Sequence, residues 1–485
     1  MKKIFQPLLL IFIFCTNSTN IFPQREVKET LLAAVDTSTF IRESFIVSPN
    51  GKHIAYVIRS EGGLCAVLDG KPENKYDDIM NPLVFSPEGN RLAYIAKLND
   101  EYFAVVDGAK GKHYKRVENF MFSPDGKRTA YVASNDLKQI MVVDEKESKP
   151  YDIIYEFIFS PDSKRFMYRA SLLPYSSVVV DEVEEKQYDY IYSPVFSADS
   201  RHYKYMADEG EKKFLIVDGK EINNYDNLDS WNHFSPDGSR LAFVVLQDSS
   251  AFVVVDDKEQ KKYNGISDLQ FSDDSKHLVY LANDVNKSFV VLDGKEGKQY
   301  DFIVGTWFSP DGNRLAYPVK SGDKWLVVVD GIEGKSYDDY TAGTLTFSPD
   351  GKHFAYLATL SEQFYMIIDG KEEGPYVEVR QIQFSPDGKR MAYIAYANNA
   401  FAVIDGKQGE NFVNVGNVTF SPDGKHTAYI AVRGNKNFVV ADEKWMNEYD
   451  EIVIAGGDKI IFDSPESFHY LVVKGTSIYL VEESF

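Results

Sequence analysis

Cysteine and basic residues are scarce in this sequence. Only Cys15 and Cys65 occur among 485 residues, and 53 Lys and Arg stand against 73 Asp and Glu, a formal net charge of −20. Cys15 lies in the N-terminal segment treated below, and Cys65 alone cannot form an internal disulfide, so burial must hold the fold. The acidity argues against nucleic acid, which needs a basic stripe to displace counterions, and against adhesion to anionic lipid.

Long apolar runs are absent except at the N-terminus. Lys2 and Lys3 precede an apolar stretch that is densest over residues 8–15, and polar residues follow at 16–20. This order is typical of a secretory signal, and the stretch is too short to span a bilayer comfortably. The alternatives are an uncleaved anchor or a buried N-terminal strand. We expect residues 1–22 to be a signal peptide, with no membrane span after its cleavage, and an exported protein that is periplasmic, cell-surface or extracellular.

Motifs for nucleophilic or metal-dependent catalysis are also lacking. There is no G-x-S-x-G elbow and no H-E-x-x-H. Gly334-Lys335-Ser336 resembles the end of a phosphate-binding loop, but Val329 stands where the first glycine is required. An Asp ends one apolar run in nearly every repeat, which does not supply the six to eight converging oxygens that calcium needs. The sequence therefore predicts no catalytic residue, no cofactor and no metal.

What dominates the sequence is a repeat of about 37 residues. Its unit is aromatic-Ser-Pro-Asp-Gly-Lys-Arg-x-Ala-Tyr-x-Ala, a polar gap, a Val/Ile-rich run ending in Asp-Gly, and Lys-x-Tyr-Asp-x-Ile. Each copy is anchored on the residue before Ser-Pro or its equivalent. The anchors are Val47, Phe85, Phe122, Phe159, Phe196, Phe234, Phe271, Phe308, Phe347, Phe384, Phe420 and Phe462. Such regularity over the whole chain indicates a repeat architecture.

Each copy predicts four short β-strands and no helix. The first strand ends at the anchor, and Ser-Pro-Asp-Gly forms the turn into the Ala-Tyr-x-Ala strand. The Val-rich run is the third strand, and an Asp-Gly hairpin leads to the fourth. Four strands in about 37 residues, repeated twelve times, predict an all-β protein, a β-propeller of twelve four-stranded blades.

The Phe-Ser-Pro-Asp-Gly-Lys-Arg-x-Ala-Tyr unit resembles the WD-repeat-like propeller repeat of bacterial TolB-type proteins, over residues 30–485. The same unit occurs in propeller domains of prolyl oligopeptidase-type peptidases, but this chain leaves no room for their hydrolase domain. The Trp-Asp dipeptide of eukaryotic WD repeats is replaced by apolar-Asp, as at Val106-Asp107. The resemblance implies the fold and leaves the function open, because this repeat serves many roles.

Two arrangements of the blades are open. Propellers typically have four to eight blades, which favours two tandem six-bladed rings, residues 23–267 and 268–485. No linker marks that boundary, so one large closed ring is the alternative. The last copy lacks a fourth strand, and residues 31–36 lie before the first anchor at the right spacing. We expect these residues to complete the last blade and to remove its open edge.

Two further slots predict packing between blades. Position +9 from the anchor is Tyr or Phe in eleven copies and Leu471 in the last. Position +6 is Arg in six copies and His in five, His53, His202, His277, His353 and His426. A slot filled once per blade is structural, and we expect it to bond the neighbouring turn Asp.

Function is sought where the repeat is broken. Residues just before the anchors are mostly apolar in the early copies and polar or aromatic later. The predicted binding patch is Asp229, Trp231, His233, Trp307, Arg380 and Gln381. Aromatics mixed with Arg are what recognition surfaces favour, although ordinary packing variation is the simpler explanation.

Two function classes remain. The favoured one is a non-catalytic, exported propeller that acts as a protein- or ligand-binding scaffold in the cell envelope, with a protein or peptide partner and no nucleic acid. The alternative is an enzyme at the channel mouth, of lyase, lactonase or glycosidase type, for which Asp229, His233 and Asp268 are the residues that could converge. The short loops favour binding, because they provide no walls that exclude water.

Overall fold

The structure is a computed structural model that describes residues 26–222, 227–453 and 460–485. The predicted signal segment, residues 1–22, lies outside the described residues. Every regular element of the described part is a β-strand, and these strands form twelve separate antiparallel sheets. The prediction of an all-β propeller with twelve blades is confirmed. The described part of the chain contains no helix long and apolar enough to cross a membrane.

Eleven blades are built from consecutive strands, and blade 12 takes its fourth strand from the N-terminus. In blades 8, 9 and 11 an irregular segment divides the first strand in two, and the first strand of blade 12 is described as two segments. The first strands are Phe40–Val47, Asp78–Phe85, Arg116–Phe122, Ile153–Phe159, Tyr190–Phe196, Leu228–Phe234, Gly265–Phe271, Phe302–Ile303 with Trp307–Phe308, Asp339–Tyr340 with Thr346–Phe347, Glu378–Phe384, Asn414–Val415 with Thr419–Phe420, and Glu451–Ile452 with Ile461–Ser464. The second strands are Ile54–Ser60, Leu92–Leu98, Thr129–Ser134, Phe166–Leu172, Tyr203–Glu209, Leu241–Gln247, Leu278–Asp284, Leu315–Ser321, Phe354–Leu360, Met391–Tyr396, Thr427–Arg433 and Ser467–Lys474.

The outer half of each blade is a hairpin with a short last strand in most blades. The third strands are Gly63–Leu68, Glu101–Val106, Gln139–Val143, Tyr175–Val180, Lys212–Val217, Ser250–Val255, Lys287–Leu292, Lys324–Val329, Gln363–Ile368, Ala400–Ile404, Lys436–Ala441 and Ser477–Ser484. The fourth strands are Lys71–Tyr76, Ala109–Lys110, Lys146–Glu147, Val183–Glu184, Lys220–Ile222, Lys258–Glu259, Lys295–Glu296, Ile332–Glu333, Lys371–Tyr376, Lys407–Gln408, Lys444–Tyr449 and Val27–Ala34.

The turns follow from the residues that the repeat places in them. In blade 3, the Ser123 hydroxyl donates to Asp125 Oδ1 over 2.7 Å and accepts the Arg128 backbone N–H over 3.0 Å. The hairpin of blade 2 has φ 51° at Asp107 and φ 76° at Gly108, the left-handed pair of a type I′ turn. The repeated Asp residues therefore act in turns, as predicted.

Aromatic pairs fill the seams between blades. Tyr76 at the end of blade 1 meets Tyr94 of blade 2 edge to face, with ring centroids 6.0 Å apart, and the same pairing recurs around the ring. This confirms the packing role of position +9. The last copy also has its tyrosine: the turn after Phe462 is one residue shorter, so Tyr470 rather than Leu471 occupies the slot and meets Tyr449 at 5.8 Å.

The Arg or His of position +6 fastens each turn to the next blade. In blade 2, Arg91 Nε donates to Asp107 over 2.8 Å, its Nη1 donates to the Gly126 carbonyl, and the guanidinium lies 5.2 Å from the Phe122 ring. Where the slot is His, Nδ1 contacts the same Asp, as in His277 with Asp293 at 2.7 Å. The predicted structural role is confirmed.

The N-terminal strand closes the last blade. Val27–Ala34 pairs antiparallel with Ser477–Ser484, and the ion pair Lys28–Glu482 at 2.6 Å lies across this pairing. Glu29 also pairs with Lys474, the last residue of the next strand, at 2.5 Å. The prediction that residues 31–36 complete the last blade is confirmed, with the strand beginning four residues earlier and ending at Ala34.

Contacts between blades 6 and 7 and between blades 12 and 1 decide the number of rings. Arg240 Nη1 donates to the Lys276 carbonyl across the first seam, as its counterparts do elsewhere. At the second seam, His469 Nε2 lies 2.9 Å from the Asn50 carbonyl, and Lys52 pairs with Asp463 at 2.6 Å. The favoured division into rings 23–267 and 268–485 is therefore corrected to its alternative, one closed ring of twelve blades. The seam chemistry of the repeat simply continues across residues 265–270.

Candidate binding face

The two faces of the ring differ in what they carry. First strands of neighbouring blades contact each other, as Phe40–Val47 does with Asp78–Phe85, so these strands line the channel. We call the side with the hairpins between second and third strands the hairpin face. The side with the Ser-Pro-Asp-Gly turns and the hairpins between third and fourth strands is the turn face.

Exposed aromatic side chains are confined to less than half of the ring. Among the described residues there are five, exposed by 36% to 51%, and all lie in blades 4 to 8. They are Tyr155, Tyr175, Tyr190, Trp231 and Phe302. Four lie towards the hairpin face, and Trp231 lies midway along the inner strand of blade 6. We call these five residues the aromatic arc.

A buried arginine underlies two members of the arc. Arg169 is only 7% exposed, and its Cζ lies 4.0 Å from the Tyr155 ring centroid and 5.3 Å from that of Tyr190. It pairs with Glu156 at 2.9 Å and donates to the Ile191 carbonyl of the next blade. A buried guanidinium is tolerated only when it is paired in this way. The ion pair and the hydrogen bond hold Arg169 in place, and its guanidinium in turn holds the two tyrosine rings at the seam.

The next seam holds a buried lysine. Lys204 is 8% exposed, and its Nζ donates to the Asn232 backbone carbonyl over 2.5 Å and to the side-chain Oδ1 of the same residue. Its Nζ also lies 5.8 Å from the Phe234 ring centroid. Burial lowers the pKa of Lys204 to about 8, because the seam disfavours the charged form.

Polar groups continue along the channel wall into blades 6 to 8. Burial, and then the charge of Lys204, lowers the pKa of His233, whose buried Nε2 has no hydrogen-bond partner among the described residues. Burial raises the pKa of Asp268, although the Thr306 amide and hydroxyl each donate to its Oδ2 over 2.6 Å. Gln270 Nε2 donates to the Thr306 carbonyl over 2.8 Å. Asp268 is thus committed to blade 8.

The structure brings only half of the predicted patch together. Asp229, Trp231 and His233 lie on one inner strand, with the Trp231 and His233 ring centroids 6.1 Å apart. Trp307 lies in blade 8 and packs against the core shared with blade 9.

The two remaining residues of the patch lie further along the ring, in blade 10. Arg380 pairs there with Glu378 at 2.6 Å and lies 5.1 Å from the Tyr396 ring centroid, and Gln381 is exposed at a bulge with φ 55°. That these six residues bind a partner stays a prediction.

Sequence reasoning missed Tyr155, Arg169, Tyr190 and Lys204. For Lys204 and Arg169, an alignment of the twelve copies did contain a signal. Position +8 is Ala in eight of the other eleven blades, Ala55, Ala93, Ala130, Ala242, Ala316, Ala355, Ala392 and Ala428, whereas blade 5 has Lys204. Position +10 is otherwise apolar, whereas blade 4 has Arg169. Comparing each repeat position across the twelve copies, and noting charged residues where the other copies are apolar, would have found both.

The described residues contain no group of three or more His, Cys, Asp or Glu side chains placed to hold a metal ion. Asp229, His233 and Asp268, which the enzyme alternative would bring together, are distributed over blades 6 and 7, with Asp268 bonded to Thr306. The chemistry that the face offers is aromatic and cationic recognition, with buried charges behind exposed rings.

Comparisons with known proteins bear on the fold alone. No family model and no curated protein matches the chain. Among solved structures it is similar to TolB from Acinetobacter baumannii, with 13% identity over 52% of this chain and 77% of that one and a TM-score of 0.25. The β-propeller domain of Myceliophteria thermophila Cps50 (Swd1) has 12% identity over 53% and 98%, with a TM-score of 0.23. A eukaryotic initiation factor has 13% identity over 68% and 94%, with a TM-score of 0.35.

Proposed function

We propose that the protein is a non-catalytic binding scaffold that holds a protein or peptide partner on the hairpin face of blades 4 to 8. The observation that carries this proposal is the aromatic arc. Tyr and Trp are enriched at the centres of protein interfaces, because they provide large contact area at a low cost in side-chain entropy. A soluble propeller gains nothing in stability from leaving five such rings exposed in adjoining blades.

Neighbouring apolar side chains extend the arc into a surface of useful size. Leu173 and Leu246 are exposed by 64% and 36% at the second–third hairpins of blades 4 and 6, and Val285 is exposed by 75% at that of blade 7. On the turn face, the exposed large hydrophobic residues are Val183, Val195 and Ile332 among the described residues. Concentrated apolar exposure on one side of a protein marks an interaction surface.

The location of the scaffold is part of the proposal. Lys2, Lys3 and the apolar stretch that follows support export, and a partner in the envelope or outside the cell would then be met by the exported ring. Fractionation of cells that express the full chain tests this, with the protein expected in the exported fraction and shortened at its N-terminus. Recovery of the full-length chain in the cytoplasm would contradict export.

The binding proposal is tested by quantitative affinity capture from the envelope fraction. The double variant Tyr155→Ala/Tyr190→Ala and the single variant Trp231→Ala should each reduce the recovered partner at least about tenfold, the usual effect of an interface anchor. The matched control is Val183→Ala/Ile332→Ala, which removes exposed apolar groups from the turn face and should leave recovery unchanged. Equal recovery by all four proteins, with equal melting temperatures, would contradict the assignment of the face.

A further inference from the structure

The buried ammonium of Lys204 has no structural need in the repeat. Eight blades fill the same slot with Ala, and their seams pack without a charge. Placing an ammonium 92% out of solvent costs free energy that an apolar residue would avoid. A charge kept at such a cost, in a slot where the fold does not require it, points to a ligand.

Nothing in the described part of the protein neutralises this charge. Lys204 has no carboxylate within ion-pair distance among the described residues, and its two recorded acceptors both belong to Asn232. An ammonium has three N–H donors, so one remains beyond these two bonds. The chain has a net charge of −20, and Lys–Glu or Lys–Asp pairs cross more than half of its seams, so a buried cation without an acidic partner is an exception.

The strand that accepts from Lys204 also carries a second unsatisfied group. His233 follows Asn232 directly, and its buried Nε2 has no partner among the described residues. Trp231 precedes Asn232, is 36% exposed, and lies 6.1 Å from the His233 ring, so the strand connects the buried cation with the open channel. An orphaned ring nitrogen and an exposed aromatic ring thus flank Asn232, the residue that accepts from the buried cation.

We propose that the seam between blades 5 and 6, at Lys204 and Asn232, is a binding site for a single carboxylate group. The carboxylate would pair with the Lys204 ammonium through the N–H that the two bonds to Asn232 leave over. A monoanion balances the one buried charge, whereas a phosphate dianion would leave excess negative charge in the same seam. The carboxylate comes from a free organic acid or from a peptide, and this inference stands whether or not the aromatic arc binds a protein.

The test uses thermal unfolding of the whole protein at pH 7 and constant ionic strength, with sodium acetate replacing sodium chloride. The wild type and the control Lys212→Met, which removes an exposed lysine from the same blade, should melt at temperatures that rise saturably with acetate. Lys204→Met, which keeps the length of the side chain and removes its charge, should show no such rise. An equal acetate response in all three proteins would overturn the site.

A second arm separates the two sources of the carboxylate. N-acetylated tetra-alanine with a free C-terminus is compared with its C-terminal amide. Stabilisation of the wild type by the free peptide and not by the amide assigns a peptide carboxylate, and stabilisation by acetate alone assigns a small acid. Failure of acetate and peptide together would overturn the proposal.

If Lys204→Met does not fold, the wild type alone still decides. Biosynthetic ¹³C labelling of lysine makes each side chain visible by NMR with its three N–H donors intact. Lys204 is the lysine that titrates near pH 8, and saturating acetate should move its resonance and raise the pH at which it titrates. A Lys204 resonance that acetate leaves unmoved would refute the site without any variant.

Discussion

Replacing Lys204 by methionine should make the protein more stable at neutral pH, although it removes two hydrogen bonds. The wild-type ammonium lies in a seam that lowers its pKa from 10.5 to about 8. At ~1.4 kcal/mol for each pH unit, this displacement corresponds to a cost of about 3 kcal/mol while the group is charged in both states. Methionine has nearly the same volume and no charge, so the variant avoids that cost.

The sign of the pH dependence follows from proton binding. Between pH 8 and 10.5 the unfolded chain keeps the Lys204 proton while the folded chain has released it, so unfolding takes up a proton. The stability of the wild type relative to Lys204→Met therefore rises with pH across this interval. The difference between the two proteins should be greatest below pH 8 and should shrink by about 3 kcal/mol as the pH approaches 10.5.

Urea unfolding followed by tryptophan fluorescence at pH 7, 8, 9 and 10 measures this difference. Other groups titrate equally in both proteins and cancel. Lys212→Met, at an exposed position of the same blade, should show no pH-dependent difference from the wild type. A Lys204→Met variant that is less stable than the wild type at pH 7 by a constant amount across this range would refute the reasoning, because the lysine would then be stabilising and fully charged.

Three further predictions concern the ring. Deleting residues 26–36 removes the strand paired with Ser477–Ser484 and should cause aggregation or a clearly lower melting temperature, and an unchanged melting curve would mean that the last blade does not need this strand. Arg314→Ala removes the bonds to Asp330 and to the carbonyls of the next turn, and it should lower the free energy of unfolding in urea by about 1–2 kcal/mol. The control Lys295→Ala, at an exposed position, should change this free energy little. Equal effects of the two substitutions would contradict the role of Arg314 at the seam. Serine hydroxyls hold the pKa of turn carboxyls such as Asp125 and Asp162 well below their usual range. The contribution of these carboxylates to the stability of the fold is therefore complete above about pH 4 and is lost as the pH falls towards 2. A melting temperature that stays constant down to pH 2 would contradict this.

The blade could be predicted from the sequence because its determinants are local. Asp107-Gly108 specifies a tight hairpin by backbone conformation alone, and Ser123 with Asp125 completes its turn within six residues. These signals recur in most copies, so an error in one copy has little effect. The single miscount, Leu471 for Tyr470, arose where the turn of the last copy is one residue shorter.

Whether the blades form one ring or two could not be predicted, because no residue within a single repeat determines it. The same arginine contact joins blades 6 and 7 as joins blades 2 and 3, and closure depends on the small angle between blades summed over the ring. The sequence did point to closure through the N-terminal strand, and joining the two ends of the chain suits one large ring, but the usual blade numbers favoured two rings. The contact of His469 with the Asn50 carbonyl is specific to the closing seam, and it involves a histidine outside the common slot.

The candidate site was only partly accessible to sequence reasoning. Trp231 and His233 were found as exceptions beside an anchor residue, but Arg169 and Lys204 lie on second strands, at positions that the sequence analysis did not consider. Their significance depends on burial and on partners in the next blade, Ile191 and Asn232, which a repeat register does not reveal. Tyr155 and Tyr190 belong to the arc because they are exposed, and the exposure of a side chain is not encoded in the repeat.

Photo-crosslinking from the face tests the central claim most directly. p-Benzoylphenylalanine placed at Tyr190 in the aromatic arc should crosslink, on irradiation of intact cells, to one defined partner. The same group at Ile332, exposed on the turn face, should give no such product. A discrete Tyr190 crosslink that Trp231→Ala abolishes is the result that a binding scaffold predicts. Crosslinks of equal yield at both positions, or none at Tyr190, would contradict a partner on the hairpin face of blades 4 to 8.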